Sequence, residues 1–337
     1  MPENLVSKIR TLALEAGFDL FGVTSAEPFE QERARLASWL AQGFAGDMNY
    51  LRNNTEKRIE PRLILPSVKS IICLGISYFY DEPSLRAEGK AIRSVTSPDC
   101  FVANAPRNDR QGKVARYAWG KDYHKVLKKK LKALKSQITQ LAGPATELKD
   151  YTDTGPLLER QAAARAGLGF IGKNTLLLHP KMGSYFFLSE ILTNLELEPG
   201  TPITTSCGSC RACIDACPTQ AFPQPYQLDA TRCISYWTIE HRGEIPEKFH
   251  AGIGDHAFGC DICQEVCPFN RRPLPSQCEE FAPAHGPGTT LHLDQISRMD
   301  EETFRQTFQH TSLTRTKYPG IIRNTKIVQR NLCSPAS

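Results

Sequence analysis

The chain has 337 residues, 40% hydrophobic and 23% charged, enough apolar material for one large or two modest globular domains and too much for a fibrous or disordered chain. No apolar stretch approaches the roughly 18 uncharged residues of a membrane-spanning helix, and Met1-Pro2-Glu3-Asn4 opens neither a secretion nor a twin-arginine export signal, which predicts a cytoplasmic protein with no membrane partner. The net charge of +5 is segregated, with eleven Lys/Arg against two Asp over 107–135, six Lys/Arg and no acid over 305–330, and an acidic remainder.

Residues 1–200 read as an α/β (α+β) domain. The pattern predicts a helix over Asn4–Ala16, a strand over Phe18–Val23, a helix over Glu30–Gln42 and an apolar strand over Ser70–Tyr80, in which Cys73 is a packing residue. Along Lys125–Leu141, an apolar stripe of Val126, Leu127, Leu131, Leu134, Ile138 and Leu141 leaves Lys128, Lys129, Lys132 and Lys135 pointing outward. That face is either a solvated helix surface or the footprint of a polyanion such as nucleic acid. Tyr151-Thr152-Asp153-Thr154-Gly155-Pro156 reads as a turn, with Pro156 at the first position of a helix Pro156–Ala166 that Gly167 ends. Gly167-Leu168-Gly169-Phe170-Ile171-Gly172 matches G-x-G-x-x-G, but it follows a helical segment where the dinucleotide fingerprint must follow a strand. That excludes an NAD site and leaves flavin open. A further strand is expected over Tyr185–Leu195. Residues 201–272 form a second module, and 273–337 a Pro/Gly-rich connection leading to a short helical segment at 294–330.

Eight of the twelve cysteines lie in the second module, and in a reducing compartment they point to metal or redox chemistry, not to disulfides. Cys207-x-x-Cys210-x-x-Cys213-x-x-x-Cys217-Pro218 matches the bacterial ferredoxin run, whose fourth thiolate reaches the neighbouring 4Fe-4S cluster. The second run, Cys260-x-x-Cys263-x-x-x-Cys267-Pro268, lacks a first member, which Cys233 can supply. The crossing rule then groups Cys207, Cys210, Cys213 and Cys267 on one cluster and Cys217, Cys233, Cys260 and Cys263 on the other. Zinc fits poorly, because four cysteines within eleven residues do not give the two separated pairs of a zinc ribbon.

The order Asp153-Thr154-Gly155-Pro156, then Arg165-Ala166-Gly167-Leu168-Gly169-Phe170-Ile171-Gly172-Lys173-Asn174-Thr175-Leu176-Leu177, then the two cysteine runs resembles the epoxyqueuosine reductase family. Lys57-Arg58, Trp119-Gly120-Lys121-Asp122-Tyr123-His124, the segment Cys233–Glu240, Cys267-Pro268-Phe269-Asn270 and Arg323-Asn324 extend the match. The resemblance implies a cobalamin-binding domain with the nitroreductase-like fold of reductive dehalogenases, fused to a ferredoxin-like two-cluster module. It implies that an unidentified low-potential donor feeds the clusters, that the clusters reduce cobalamin, and that epoxyqueuosine at the tRNA wobble position is reduced to queuosine, the last step of that biosynthesis, in a monomeric enzyme. It also assigns the proton donor to Asp153, which a closed, partly apolar site would keep protonated; read without the family, the same residue stabilises a turn. The cobalamin contacts it implies are Arg58, Asp153, Gly172, Lys173, Asn174, Ser235, Thr238 and Glu240, while Tyr123-His124 receives no role.

With tRNA as substrate, Arg107, Arg110, Lys113, Arg315, Lys317, Arg323 and Lys326 are the expected phosphate contacts. The helical-repeat extension of some relatives is absent after Arg323-Asn324, which predicts a smaller grip on tRNA. Two other readings explain less: an exported reductive dehalogenase lacks its leader here, and a bare electron carrier leaves the first 200 residues without a purpose.

Overall fold

The computed structural model describes residues 4–81 and 110–333. In chain order the large domain contains α1 (Leu5–Glu15), β1 (Leu20–Ser25), α2 (Glu30–Ala41), α3 (Thr55–Ile59), β2 (Ser70–Ser77), β3 (Gln111–Val114), α4 (Tyr123–Ala142), β4 (Leu148–Tyr151), α5 (Glu159–Arg165), β5 (Phe170–Ile171), β6 (Leu177–Leu178) and β7 (Phe186–Thr193). There follow α6 (Ala212–Asp215), α7 (His250–Ile253), β8 (His256–Phe258), α8 (Ile262–Glu265), β9 (Thr290–His292), α9 (Leu293–Arg298), α10 (Glu301–Phe308) and α11 (Lys317–Cys333).

The main sheet has the order β1-β2-β7-β4 and is antiparallel throughout. Every residue of β2 is buried, because the sheet is covered on both faces. Ile72, Leu74 and Ile76 alternate onto one face, where Ile9 and Ala13 of α1 and Val126, Leu127, Leu131, Leu134 and Ile138 of α4 meet them. Ile71 and Cys73 point to the other face, against Ala162 and Ala163 of α5. Asn4 caps α1 and Asp122 caps α4, each side chain accepting a hydrogen bond from a first-turn backbone N–H.

Several expected boundaries move: the first strand is Leu20–Ser25, not Phe18–Val23, and the apolar strand ends at Ser77, not Tyr80. The helix after the Asp153 turn begins at Glu159, not at Pro156, because Leu157 is drawn into the core, 3% exposed, and the chain becomes helical only beyond it. Gly167, at φ +82, ends that helix as expected, and Gly167–Gly172 leads into the β5–β6 hairpin rather than opening a helix.

A second sheet, β8-β3-β9, takes one strand from each of the stretches that the sequence separates at residues 200 and 272, with β3 parallel to β8 and antiparallel to β9. Two polar locks tie these stretches together. Asn270 accepts from Ser184 N at 2.7 Å and donates to Ser184 Oγ at 2.9 Å and to Gln264 O at 2.7 Å. Gly183, at φ +74, leaves room for it: a Cβ there would stand 1.9 Å from Asn270 Oδ1. The second lock is on α11, where Arg323 donates to the carbonyls of Trp237, His241 and Gly243, and Asn324 donates to those of Thr238 and Ala257. Among the described residues no helix is long and apolar enough to cross a membrane.

Candidate active site and cluster module

Cys207, Cys210 and Cys213 of the first run and Cys267 of the second line one small pocket together with Asn174, Leu178, Pro268 and Phe269. Cys217 and Cys233 lie instead with Cys260 and Cys263, close enough for each thiol to perturb its neighbours. The crossed grouping read from the spacing is therefore the grouping in space. Burial first, then neighbouring thiols, push Cys213, Cys260 and Cys263 above the ordinary thiol range. Four thiolates brought together are stable only around a cation, so the chemistry of each set suits an iron-sulfur cluster. Backbone N–H groups already point at sulfur, from Lys173 to Cys207 at 3.4 Å and from Ala221 to Cys217 at 3.3 Å. Of the remaining cysteines, Cys73 and Cys278 are buried, Cys333 is exposed, and Cys100 lies outside the described residues.

Asp153 stands at the end of β4 in the left-handed region, φ +58, where Asp is one of the few residues tolerated. Its side chain is 63% exposed, and its Oδ2 accepts from Tyr123 Oη at 3.0 Å and pairs with His124 Nε2 at 3.4 Å. On its other side His124 Nδ1 meets Asp122 Oδ1 at 2.9 Å. Desolvation by its surroundings would raise the Asp153 carboxyl, but His124, then Tyr123 and Arg315, outweigh it and hold Asp153 below the usual carboxylate range. The expected upward shift is thus absent, because a cation stands beside the group. Burial would likewise lower His124, yet the two carboxylates raise it to about 9. At neutral pH the proton resides on His124.

Around Asp153 the fold gathers residues from distant stretches. Arg58 donates to Gly155 O at 3.5 Å and Tyr50 O at 3.3 Å, and its enclosed Nε has no partner among the described residues. Glu240 ends a π-helical turn, Tyr236–Glu240, that starts three residues after Cys233, a local irregularity of the kind that functional sites employ. It holds Arg315 through two hydrogen bonds, at 2.9 and 2.8 Å, while Arg315 lies over the Tyr50 ring at 5.5 Å. Arg58, Asp153 and Glu240 are therefore neighbours, linked through Tyr50 and Arg315. Lys173 and Asn174 lie apart from them, on the cluster side: Lys173 Nζ donates to Gly208 O at 2.6 Å and Cys210 O at 2.8 Å, and Asn174 Nδ2 to Cys263 O at 3.4 Å. Ser235 Oγ donates to Cys260 O at 3.5 Å. At Gly172 a Cβ would come within 2.5 Å of Leu178, so the close β5–β6 packing already requires glycine.

Two family models match the chain: the 4Fe-4S double cluster binding domain over residues 206–270, and Epoxyqueuosine reductase QueG, DUF1730, over residues 58–154. An epoxyqueuosine reductase of Cellulophaga algicola is 39% identical over 94% of this chain and 95% of its own length. One from Pseudomonas aeruginosa is 38% identical over 96% of this chain and 84% of its own. The chain belongs to the epoxyqueuosine reductase family. Among solved structures, an epoxyqueuosine reductase with an epoxyqueuosine-modified tRNA-Tyr stem loop is similar with a TM-score of 0.84 and 32% identity, over 98% of this chain and 82% of that one. The epoxyqueuosine reductase of Streptococcus thermophilus is similar with a TM-score of 0.83 and 32% identity, over 96% and 80%.

Two residues expected at this family's ligand surfaces are structural instead. Thr238 is fully enclosed; its hydroxyl donates to Ile234 O at 2.8 Å and accepts from Gly259 N at 2.9 Å, which leaves no side-chain group for a cofactor. Arg323 is 9% exposed and its guanidinium is taken up by the α11 lock, so it offers nothing to a phosphate. Of the other expected tRNA contacts, Arg110 pairs with Asp294 at 2.7 Å, Lys113 with Asp255 at 3.0 Å and Arg315 with Glu240. Lys317 and Lys326 are exposed, as are Lys128, Lys129 and Lys132 of α4, whereas Lys135 turns aside to Asp150. Arg107 lies outside the described residues.

Sequence reasoning left His124 without a role and did not single out Glu159 or Glu190. The signal for Glu190 was present: it is the one acid inside the apolar run Phe186–Thr193, where a charged residue is costly.

Proposed function

We propose that this chain is a cytoplasmic, monomeric enzyme that reduces epoxyqueuosine to queuosine at the wobble position of tRNA, using cobalamin and two 4Fe-4S clusters. The observation that carries this reading is the presence of two devices in one member of this family. Eight thiols form two crossed sets, and an exposed carboxylate is anchored by Tyr123 and His124. The neighbourhood of Arg58, Asp153 and Glu240 suits a cofactor, because the enclosed Arg58 Nε is a donor with no acceptor among the described residues. Cobalamin supplies a nucleophilic, redox-active cobalt when bound, and the clusters supply single electrons from a low-potential donor.

The residues of the chain manage protons and position. Tyr123 and His124 fix Asp153 Oδ2, leaving the rest of its exposed carboxyl to face the substrate. His124, protonated at neutral pH, passes its proton to Asp153 once substrate closes the site and excludes water, since desolvation then disfavours the ion pair. Asp153 delivers that proton to the epoxide oxygen. Arg315, held by Glu240, is placed to orient the tRNA side of the site. Exposed Lys128, Lys129, Lys132, Lys317 and Lys326 contribute phosphate contacts while the modified base is splayed into the pocket.

Anaerobic purification with iron and cobalamin supplied tests the reading. About eight iron per chain, one cobalt, and conversion of epoxyqueuosine tRNA that is lost in Asp153→Asn are expected. Eight iron without cobalt after reconstitution, and no conversion, would overturn it in favour of an electron-transfer protein.

A further inference from the structure

We propose that Glu190, buried in the main sheet, and the half-buried Glu159 form a carboxyl pair that stores a proton and passes it to Asp153 for the second protonation of the departing oxygen. The inference rests on the reductase activity proposed above. Converting an epoxide to an alkene breaks two C–O bonds, forms one C=C bond and releases water, which consumes two electrons and two protons. The electrons come through the clusters. His124 and Asp153 hold one proton between them at neutral pH, so the second needs another source within the closed site.

Glu190 lies at the middle of the main sheet, on β7, opposite Cys73 of β2 and Tyr151 of β4. It is 0% exposed, and neither carboxyl oxygen has a hydrogen-bond partner of good geometry among the described residues. Glu159 opens α5, and its enclosed Oε1 is likewise unpartnered. Glu190 is registered with Tyr151 of β4, which lies two residues before Asp153.

The groups facing the pair explain why it keeps its protons. Asp153 and the Glu159 carboxyl repel each other, and the Cys73 thiol, on β2, is itself pushed up by burial and by both glutamates. The nearest cations are engaged elsewhere: Arg160 donates to Thr175 O, and Arg58 to Gly155 O and Tyr50 O. Neither makes an ion pair with Glu159 or Glu190 among the described residues. Burial first, then like charge, raises both glutamates. Release of one proton from Glu159 leaves a singly charged pair in which Glu190 keeps its proton and donates it as a hydrogen bond to the new carboxylate, as in other carboxyl dyads that share a proton. The O–H bond of Glu159 breaks, the proton moves to the Asp153 carboxylate and from there to the oxygen, and solvent refills Glu159 after product release.

The test uses the full chain with its cofactors. Difference infrared titration should show a protonated carboxyl at neutral pH that disappears in Glu159→Gln, a measurement independent of turnover. Single-turnover reduction of epoxyqueuosine tRNA across pH should fall about tenfold or more in Glu159→Gln, in keeping with loss of a general acid, and its alkaline limb should change shape. Glu190→Gln, which leaves Glu159 with a neutral donor beside it, should keep the Glu159 carboxyl band in the infrared titration while shifting its midpoint. Wild-type rate and pH profile in Glu159→Gln, or an infrared spectrum with both glutamates ionised at pH 7, would overturn the proposal. Should Glu159→Gln fail to fold, the infrared titration of the parent chain still decides. If the parent chain converts no epoxyqueuosine, the functional reading fails, whereas the infrared result speaks only to the pair.

Discussion

Asp122→Asn isolates the charge on one side of His124 while keeping the helix start, because Asn caps a helix as well as Asp. His124 is raised from 6.5 to about 9 by two carboxylates acting against its burial. The full displacement corresponds to about 3 kcal/mol between the two charge states. His124 is 36% exposed, so solvent screening leaves about 1–2 kcal/mol of this as stability. A group raised in the folded state stabilises fully below its unfolded pKa, and the benefit is lost as pH rises through the folded value, here between 6.5 and about 9. Removing the Asp122 charge should lower the imidazole by about one unit, equivalent to about 1.4 kcal/mol between charge states. NMR of histidine-labelled protein would read that midpoint directly, and single-turnover tRNA reduction should show its alkaline limb falling by the same amount. An imidazole that still titrates near 9 in Asp122→Asn would refute the network and return the proton to Asp153.

Other perturbations separate the remaining roles. Cys267→Ala should remove the cluster shared with Cys207, Cys210 and Cys213, leaving about four iron per chain; the same variant retaining eight would break the crossed assignment. Arg323→Ala should lower unfolding stability by about 3 kcal/mol or more, since it strands the Trp237, His241 and Gly243 carbonyls, while leaving the salt dependence of tRNA binding unchanged. Reversing Lys128, Lys129 and Lys132 together should weaken tRNA binding and reduce its salt slope by about one for each phosphate left without its cation, with unaltered melting temperature. Gly183→Ala should destabilise the chain and lower its iron content, because the new Cβ displaces Asn270 from its lock on the cluster module.

The repeating features were legible before any coordinates. The cysteine spacing specified a grouping that the fold reproduces, and the apolar stripe of the basic helix appears as the buried face of α4. What escaped depends on neighbours far away in sequence. Arg323 reads as a phosphate-binding cation until the carbonyls around residues 237–243 are brought to it. Thr238 reads as a ligand-facing hydroxyl beside a cluster cysteine, but the π-helical turn rolls it inward. The ionisation of Asp153 is hidden from the turn motif, which carries no trace of His124, 29 residues upstream on another element. Proline at 156 favours a helix start locally, and core packing of Leu157 overrides it.

The β8-β3-β9 sheet ties assembly to the order of synthesis. Lys113 of β3 cannot find its partners until His256 and Thr290 have been made, and the carbonyls that Arg323 secures wait longer still, for α11. Such distant pairings close slowly, because loop entropy is lost before contacts repay it. All eight module cysteines leave the ribosome before α11 does. Metal insertion therefore has a window in which the thiols are reachable and the last helix has yet to land, and delay at either step leaves the other to proceed on an incomplete partner.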